Sequence, residues 1–186
     1  MTPTITHIKD LVARCREGDQ RAQMEIYERY YKAMYNTALR IVKDTAEAED
    51  VMQEAFLNAF AKIDSFNGTS TFGAWLKRIV INRSINAFNK KMKLNETSYN
   101  DELKNQADDN EGVVLEENSN NKKVKQILKT MDSLKENYRI CLSLHLIEGY
   151  DYEEICEILD ISYANCRTTI SRAKESLRKK LLKHEN

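Results

Sequence analysis

A run of short polar and arginine side chains between Ser162 and Arg172 has the chemistry of a surface that reads DNA. Arginine and asparagine can make bidentate hydrogen bonds to base edges in a major groove, and serine and threonine hydroxyls add single ones. The candidates are Tyr163, Asn165, Arg167, Thr168, Ser171 and Arg172. Further along the segment lie cations that would attract phosphates independently of sequence, namely Lys174, Arg178, Lys179 and Lys180.

Two helices joined by a tight turn would hold this surface in place. Apolar spacing predicts a first helix over about Asp151–Leu159 and a second over about Ser162–Leu182. The turn falls at Asp160, a residue type that tolerates a left-handed backbone, and Ser162 can cap the second helix. The predicted inward-facing residues are Ile155, Cys156, Leu159, Cys166 and Ile170. The sequence therefore predicts a DNA-binding helix-turn-helix over residues 150–181, whereas a plain helical hairpin would leave the match of spacing, turn and charge unexplained.

The composition indicates that the rest of the chain is helical as well. One proline and five glycines among 186 residues are few helix breakers, and an all-β chain would need many more turns. Apolar spacing predicts helices in the N-terminal half over about residues 8–17, 19–43, 45–63 and 72–92, with a loop at 66–71. Asp19 is the predicted cap of the second helix, and Asp44 or Thr45 that of the third. Trp75 is expected to pack in the core.

Residues 95–121 differ in composition from the segments on either side. They are rich in asparagine and acids, so they could not bury enough apolar surface to offset the entropy of ordering the chain. We expect a flexible acidic linker there, which divides an all-α chain into two small helical domains at residues 8–94 and 122–183. The second domain is expected to begin with an apolar stripe of Val124, Ile127, Leu128 and Met131. A helix over about Glu136–Glu148 should follow and end at Gly149.

The formal net charge is zero, but the charges are sorted along the chain. Residues 44–64 carry six acids and one base, whereas residues 65–95 carry six bases and no acid. Residues 95–121 carry eight acids and one base, whereas residues 161–183 carry seven bases and one acid. A uniformly solvated surface would not sort its charges in this way, so the zero total does not argue against binding to nucleic acid.

Other features of the sequence exclude several classes of protein. No run of eighteen apolar residues could span a membrane, and the N-terminus MTPTITHIKD lacks the apolar core of a signal peptide, so the expected compartment is the cytoplasm. The cysteines, Cys15, Cys141, Cys156 and Cys166, form no CxxC pair and are interpreted as reduced thiols that fill packing sites between helices. We expect no metal, no cofactor and no catalytic residue, since zinc-ligand spacings and nucleophile–base pairings do not occur in the sequence.

Three blocks of sequence resemble the extracytoplasmic-function (ECF) group of bacterial RNA polymerase sigma factors. The first, Ala48–Phe60, is similar to the family's helix AEDVxQExFxxAF, and the second, Phe66–Asn82, is similar to its loop and helix FxGxSxFxxWLxRIaxN. The third comprises Gly149–Ile155 and Ile170–Leu177 and is similar to the family's region 4 helix-turn-helix. The resemblance covers nearly the whole chain, from about Lys9 to Leu182.

The resemblance implies a transcription initiation factor that binds core RNA polymerase and directs it to promoters. Region 2 of the family binds the clamp coiled coil of the β′ subunit, and the matching residues here are Asp50, Gln53, Glu54 and Asn58. The family also melts the −10 element and captures a flipped base of the non-template strand at the following loop. The matching residues are Ser65, Phe66, Asn67, Ser70, Lys77, Arg78, Asn82 and Arg83, with Asn82 expected to face the loop.

Further partners implied by the resemblance are promoter −35 DNA, the β flap of polymerase and an anti-sigma factor. The chain departs from the family pattern at Cys156 and Cys166, where alanine and valine are usual, and at Thr169, which replaces a frequent arginine. Because of these departures, the recognition helix does not predict which −35 sequence it binds. Two other functions remain as alternatives: an enzyme, and a repressor or activator that uses the helix-turn-helix as a dimer. Such a dimer would not need the basic segment 65–95 beside an acidic helix.

Overall fold

The computed structural model describes residues 7–97 and 119–184, and all the regular secondary structure in these ranges is helical. The helices are α1 (Ile8–Arg16), α2 (Gln20–Val42), α3 (Thr45–Ala61), α4 (Phe72–Thr97), α5 (Ser119–Asp132), α6 (Glu136–Leu142), α7 (Tyr152–Leu159) and α8 (Tyr163–His184). A 3₁₀ turn, Ile63–Ser65, follows α3, and a π-helical turn, Ser143–Ile147, continues α6. No strand occurs in these ranges, and the predicted all-α fold is confirmed.

The chain divides into two compact units, Met1–Lys93 and Leu94–Asn186, here called the N-terminal and the C-terminal unit. Of the linker expected at 95–121, residues 98–118 lie outside the described residues. The two ends of that segment are helical, because α4 continues to Thr97 and α5 already begins at Ser119. Among the helices described in either unit, none is long and apolar enough to cross a membrane.

Two aspartate caps set the helix boundaries of the N-terminal unit, as the sequence predicted. The Asp19 carboxylate accepts a hydrogen bond from the backbone N–H of Arg21 at 2.8 Å, and the Asp44 carboxylate accepts one from that of Glu47 at 2.9 Å. The guanidinium of Arg14 also contacts Asp19, at 2.7 Å. Its hydrogen bond to that carboxylate lowers the pKa of Asp19, and the helix amides act in the same direction.

An apolar core fills the N-terminal unit between α1, α2, α3 and α4. Its largest fully buried side chains are Leu11, Ile26, Ile41, Leu76 and Ile81. Burying one such side chain contributes about 1.5–3 kcal/mol relative to leaving it exposed. Trp75 is only half-buried, contrary to expectation, because its ring lies at the edge of the core against Phe66 and Phe72.

The core of the C-terminal unit is built mainly where α6 and α7 pack against α8. Its fully buried side chains include Leu142, Leu144, Ile155, Cys166, Ile170 and Ala173. The prediction of a buried apolar stripe on α5 is wrong for its first half. Val124 and Ile127 are 45% and 39% exposed, and only Met131 of the stripe is buried. From residue 122 onward, the first buried side chain of α5 is Thr130, so packing against α6 and α8 covers only the end of the stripe.

The helix expected over Glu136–Glu148 changes type part-way. It is α-helical to Leu142 and then continues as a π-helical turn, in which the N–H of Glu148 donates to the carbonyl of Ser143 at 3.0 Å. The wider turn shifts the phase of the side chains that follow it. Gly149 ends the segment with φ +83, a left-handed conformation that glycine adopts without strain.

Candidate functional site

Local hydrogen bonds fix the two helices that present the predicted DNA-reading surface. At the start of α7 the Asp151 carboxylate accepts from the N–H of Glu154 at 2.8 Å, and the Glu154 carboxylate accepts from the N–H of Asp151 at 2.9 Å. Helix α7 ends at Asp160, whose backbone is left-handed with φ 52 and ψ 51, as predicted. The Ser162 hydroxyl then accepts from the N–H of Asn165 at 3.3 Å and caps α8.

Buried side chains set the rotation of α8 about its axis. Cys166 and Ile170 are completely buried against α7 and α6, as the sequence predicted. On α7 the prediction was partly wrong, because Cys156 and Leu159 are only half-buried, whereas Ile158 is buried together with Ile155. Residues three and four positions after Ile155 lie on either side of the same stripe, so periodicity alone does not choose between them.

With Cys166 and Ile170 inside, the opposite side of α8 faces solvent. All the predicted base-contacting residues are exposed there, namely Tyr163, Asn165, Arg167, Thr168, Ser171 and Arg172. The ring of Tyr163 packs 6.1 Å from that of Tyr152, which in turn packs 5.1 Å from His145. These ring contacts restrict where Tyr163 can point at the start of the helix.

The predicted phosphate-binding cations of α8 differ in their surroundings. Arg178 and Lys179 are exposed and Lys174 is half-buried. Lys179 also pairs with Glu175, one helical turn earlier, at 2.6 Å. Lys180 instead donates hydrogen bonds to the carbonyl of Ser133 and, at 3.0 Å, to its hydroxyl. Lys180 therefore ties α8 to the turn after α5, a tertiary contact between residues far apart in sequence.

Helix α3 presents an acidic surface to solvent. Asp50, Gln53 and Glu54 are exposed on one side, and Asn58 is half-buried beside them. The same side carries Leu57, which is 71% exposed and which the sequence analysis missed. We call Asp50, Gln53, Glu54, Leu57 and Asn58 the α3 surface. Its combination of carboxylates, amides and one apolar side chain suits a basic, partly apolar partner.

The loop at residues 66–71 and the start of α4 line an open groove in the N-terminal unit, with a volume of about 1490 Å³. Of the predicted −10 residues, Phe66, Asn67, Ser70 and Lys77 line this groove, whereas Ser65, Arg78, Asn82 and Arg83 do not. Asn82, which was expected to face the loop, is not part of the groove lining and lies ten residues after Phe72, about 15 Å along the helix axis. It is exposed further along α4.

The groove combines an aromatic wall with polar loop atoms. Half-buried Phe66 packs edge-on against Phe72 at 5.5 Å and lies 5.4 Å from Trp75. The amide oxygen of Asn67 accepts hydrogen bonds from the N–H and the hydroxyl of Thr69, at 3.1 and 2.8 Å, and so shapes the loop. Aromatic faces beside hydrogen-bonding groups are what an unstacked nucleic-acid base requires.

Ion pairs join the acidic helix α3 to the basic helix α4. Glu54 pairs with Arg83 at 2.5 Å, and Glu47 pairs with Lys91 at 3.2 Å. The acidic and basic segments that the sequence separates are therefore neighbours in the N-terminal unit. Because these pairs are partly exposed, each contributes at most about 1 kcal/mol to stability.

Comparisons with known proteins agree with the two units. The family model for Sigma-70 region 2 matches residues 26–93, and that for Sigma-70, region 4 matches residues 125–177. The chain is 33% identical over 178 residues to the ECF RNA polymerase sigma-E factor of Escherichia coli strain K12, covering 92% of both chains. The chain belongs to the ECF sigma factors. It is also 34% identical over 185 residues to the sigma factor SigW of Bacillus subtilis strain 168, covering 94% of this chain and 96% of that one.

As an ECF sigma factor, the protein is a promoter-specific transcription initiation factor that binds core RNA polymerase and promoter DNA, and it is not an enzyme. Two solved structures share its fold. The sigma factor RpoE of Bartonella quintana, in complex with the anti-sigma factor NepR, has a TM-score of 0.59 at 22% identity and covers 88% of this chain and 98% of that chain. CnrH, in complex with the cytosolic domain of CnrY, has a TM-score of 0.55 at 21% identity and covers 96% and 99%.

One feature of this ECF sigma factor that the sequence analysis missed could have been found there, and a second could not. Leu57 is an apolar residue out of phase with the inner stripe of α3, which is the usual sign of an exposed hydrophobic contact. Tyr152 and Tyr163 stand at the first positions of α7 and α8. Their ring contact, however, depends on the angle at the turn, which no spacing rule provides.

Proposed function

We propose a division of labour between the two units of this sigma factor. The C-terminal unit reads the promoter −35 element with the exposed side of α8, and the N-terminal unit binds polymerase and holds the −10 single strand. In this proposal residues 8–94 form the N-terminal domain, residues 122–183 form the −35-reading domain, and residues 95–121 link them. The observation that carries the proposal is the exposure of every predicted base-contacting residue on α8, while Cys166 and Ile170 are buried.

At the −35 element, α8 enters the major groove with its N-terminal turns against the base edges. Asn165, Arg167 and Thr168 lie nearest the start of the helix, where helix-turn-helix proteins make their base contacts. Ser171 and Arg172 follow one turn later, and Tyr163 stands at the entry. Lys174, Arg178 and Lys179 provide attraction to phosphates along the remaining length.

At the −10 element, a flipped base of the non-template strand enters the groove and packs beside Phe66. The amide nitrogen of Asn67, whose oxygen accepts from Thr69, and the Ser70 hydroxyl provide hydrogen-bonding groups for the base, and Ser65 stands just before the same loop. The strand's phosphates then follow α4, along which Lys77, Arg78, Asn82 and Arg83 are distributed. Taking a base from the stack costs a few kcal/mol, which stacking of about 1–3 kcal/mol per base offsets.

For polymerase, the α3 surface binds the clamp coiled coil of the β′ subunit, with Asp50, Gln53, Glu54 and Asn58 as its polar contacts. Leu57 at its centre supplies the apolar contact that such interfaces usually contain. The C-terminal unit contacts the β flap. Since polymerase and DNA are the proposed partners, the proposed compartment is the cytoplasm. An anti-sigma factor is proposed as a further partner, since RpoE of Bartonella quintana is bound to one in a structure of similar fold.

Transcription in vitro with purified core polymerase tests the proposal. Polymerase carrying this protein is first run on genomic DNA, and sequencing of the transcripts identifies a promoter. We then expect initiation there only when the protein is added, with single-stranded thymines at −10 detected by permanganate. A matched template with a scrambled −35 element should initiate poorly, and a pre-melted −10 bubble should restore part of the activity. Initiation that never depends on the protein would refute the proposal, and repression of another holoenzyme would favour a repressor.

A further inference from the structure

The side chain of Arg16 joins helix α1 to the loop at residues 66–71. Arg16 is the last residue of α1, and its guanidinium donates a hydrogen bond to the backbone carbonyl of Phe66 at 2.5 Å. Its Nε also lies 3.9 Å from the carboxylate of Asp64. Arg16 lines the same groove as Phe66 and Asn67. A residue of the first helix therefore binds the backbone of the loop where the aromatic wall of the groove begins.

Helix α1 is a firm support for this contact. Leu11, Val12 and Cys15 are buried, so the helix is packed into the core of the N-terminal unit. The 3₁₀ turn Ile63–Ser65, which leads into the loop, packs beside α1. The Sigma-70 region 2 model matches residues 26–93, so α1 lies outside that match. The loop is thus held from an anchored helix to which the family match gives no role.

Local hydrogen bonds also shape the loop. The amide oxygen of Asn67 accepts from the N–H of Thr69 at 3.1 Å. At the far end of the loop, the hydroxyl of Thr71 accepts from the N–H of Ala74 at 3.2 Å. Bonds between such close neighbours fix the shape of a turn, but they do not fix where the turn lies relative to the core. The Arg16 bond spans 50 positions of sequence and does so.

The bonded carbonyl controls the orientation of two groups that line the groove. A hydrogen bond to the carbonyl of Phe66 holds the peptide plane between Phe66 and Asn67, because that plane is rigid. The Phe66 ring, which lies 5.4 Å from Trp75 and 5.5 Å from Phe72, stands on one side of this plane in sequence. The Asn67 amide stands on the other. Both the aromatic wall and the first polar group of the loop therefore depend on it.

We propose that Arg16 is a positioning residue of the −10 groove and holds the loop in the conformation that receives the flipped base. The proposal rests on the proposed function of that groove. A loop that leaves this conformation for part of the time lowers the apparent affinity for the single strand in proportion to the fraction of molecules still competent. Removing one hydrogen bond shifts such an equilibrium by a factor of about two to ten. In this role Arg16 acts through Phe66.

Two simpler roles for Arg16 predict different behaviour. As an ion pair with Asp64, whose side chain is 87% exposed, Arg16 would contribute little, because exposed pairs are screened by solvent. As a cation beside the groove, it would attract the phosphates of every single strand to the same degree. Neither role predicts selectivity for the −10 sequence, or a change in the loop before DNA is added.

The single tryptophan of the protein, Trp75, reports on the loop in the full-length chain. Arg16→Met keeps a long side chain but removes the donors and the charge. Without DNA, we expect the emission of this variant to shift to longer wavelength and acrylamide to quench it more, because Phe66 covers the indole less. Arg16→Lys keeps a donor and should restore part of the wild-type signal. An unchanged spectrum in Arg16→Met would overturn the proposal.

The matched control is Arg14→Met on the same helix. The side chains of Arg14 and Arg16 are 42% and 41% exposed, but Arg14 pairs with Asp19 rather than with the loop. Its variant should lower the melting temperature and yet keep the wild-type spectrum of Trp75. Asp64→Asn removes the weak ion pair and should keep that spectrum as well. A spectral change in Arg14→Met as large as that in Arg16→Met would indicate a general loosening of α1 and would overturn the proposal.

Binding is then measured with holoenzyme, assembled from core polymerase and each variant, on labelled single strands with the matched or a scrambled −10 sequence. Arg16→Met should bind the matched strand about two- to tenfold more weakly, with a smaller loss on the scrambled strand. Arg16→Lys should lie between this variant and the wild type. Equal weakening on both strands, or none on either, would overturn the positioning role. A wild-type holoenzyme that fails to distinguish the strands would instead count against the proposed function, while the Trp75 spectrum still judges the contact.

Discussion

Replacing Arg167 with alanine tests base recognition by α8 without changing the other proposed roles of that helix. Arg167 is exposed, and its neighbour Cys166 carries the packing of that turn. The free energy of unfolding should therefore change by less than about 0.5 kcal/mol. A bidentate contact from arginine to a guanine contributes about 1–3 kcal/mol of discrimination. Since about 1.4 kcal/mol is a factor of ten, the affinity for the correct −35 duplex should fall by roughly 5- to 150-fold.

The assay compares the correct and a scrambled −35 duplex by anisotropy over a range of salt concentrations. Arg167→Ala should weaken binding to the correct duplex far more than to the scrambled one, because phosphate attraction is common to both. Arg167→Lys is the matched variant: it keeps the charge but loses the planar fork, so discrimination should fall while the salt dependence is retained. Binding to core polymerase should be unchanged in both.

Lys180→Ala provides a second control on the same helix. It removes one positive charge but also the hydrogen bonds to Ser133, so it should lower the free energy of unfolding and leave base discrimination intact. The reasoning about Arg167 would be refuted if its alanine variant weakened both duplexes equally and reduced the salt slope by about one, since this is the behaviour of a phosphate contact. Loss of polymerase binding would refute the division of labour between the units.

Five other substitutions test three separate parts of the structure. Asp50→Arg should abolish core polymerase binding on gel filtration, and Leu57→Ala should weaken it. Both variants should keep the stability of the wild type, with an unchanged melting temperature for Asp50→Arg, because both residues are exposed. Normal complexes with polymerase would refute the proposed role of the α3 surface. In urea unfolding, Lys43→Gly should raise the free energy of unfolding by about 0.5–1 kcal/mol, and Asp160→Gly should raise it by less. Both residues have a left-handed backbone, and aspartate tolerates that conformation better than lysine does. Asp19→Asn keeps the cap but removes the charge. Because the folded-state pKa of Asp19 lies below 3.8, the wild type's extra free energy of unfolding over this variant should be complete above pH 3.8 and should disappear as the pH falls through the folded-state pKa. A stability difference between wild type and variant that stays unchanged in acid would contradict this.

The ends of most helices could be predicted because they depend on hydrogen bonds between residues close in sequence. Asp19, Asp44 and Ser162 each accept a bond from an N–H two or three positions later. Asp160 adopts the left-handed conformation that its residue type tolerates. The exposed side of α8 could be predicted from helical periodicity, because burying Cys166 and Ile170 leaves the other side in solvent.

The end of α4 and the type change after Leu142 could not be predicted in this way. The sequence around residue 95 still permits a helix, so its polar composition alone did not set the boundary. In the same manner Val124 and Ile127 have helical spacing but are exposed, because the neighbouring helices reach only the later part of α5. Periodicity predicts which side of a helix is apolar but not whether another helix covers it.

The sequence by itself therefore determined the helical fold, the caps, the turn at Asp160 and which side of α8 is exposed. The tertiary structure decided which distant residues meet: Glu54 with Arg83, Lys180 with Ser133, and the Cys166 thiol with the Tyr152 carbonyl. Each of these contacts joins two helices or a helix to a turn. It depends on the angle and axial offset at which the elements pack, and these are set by the sum of many buried contacts rather than by any local pattern.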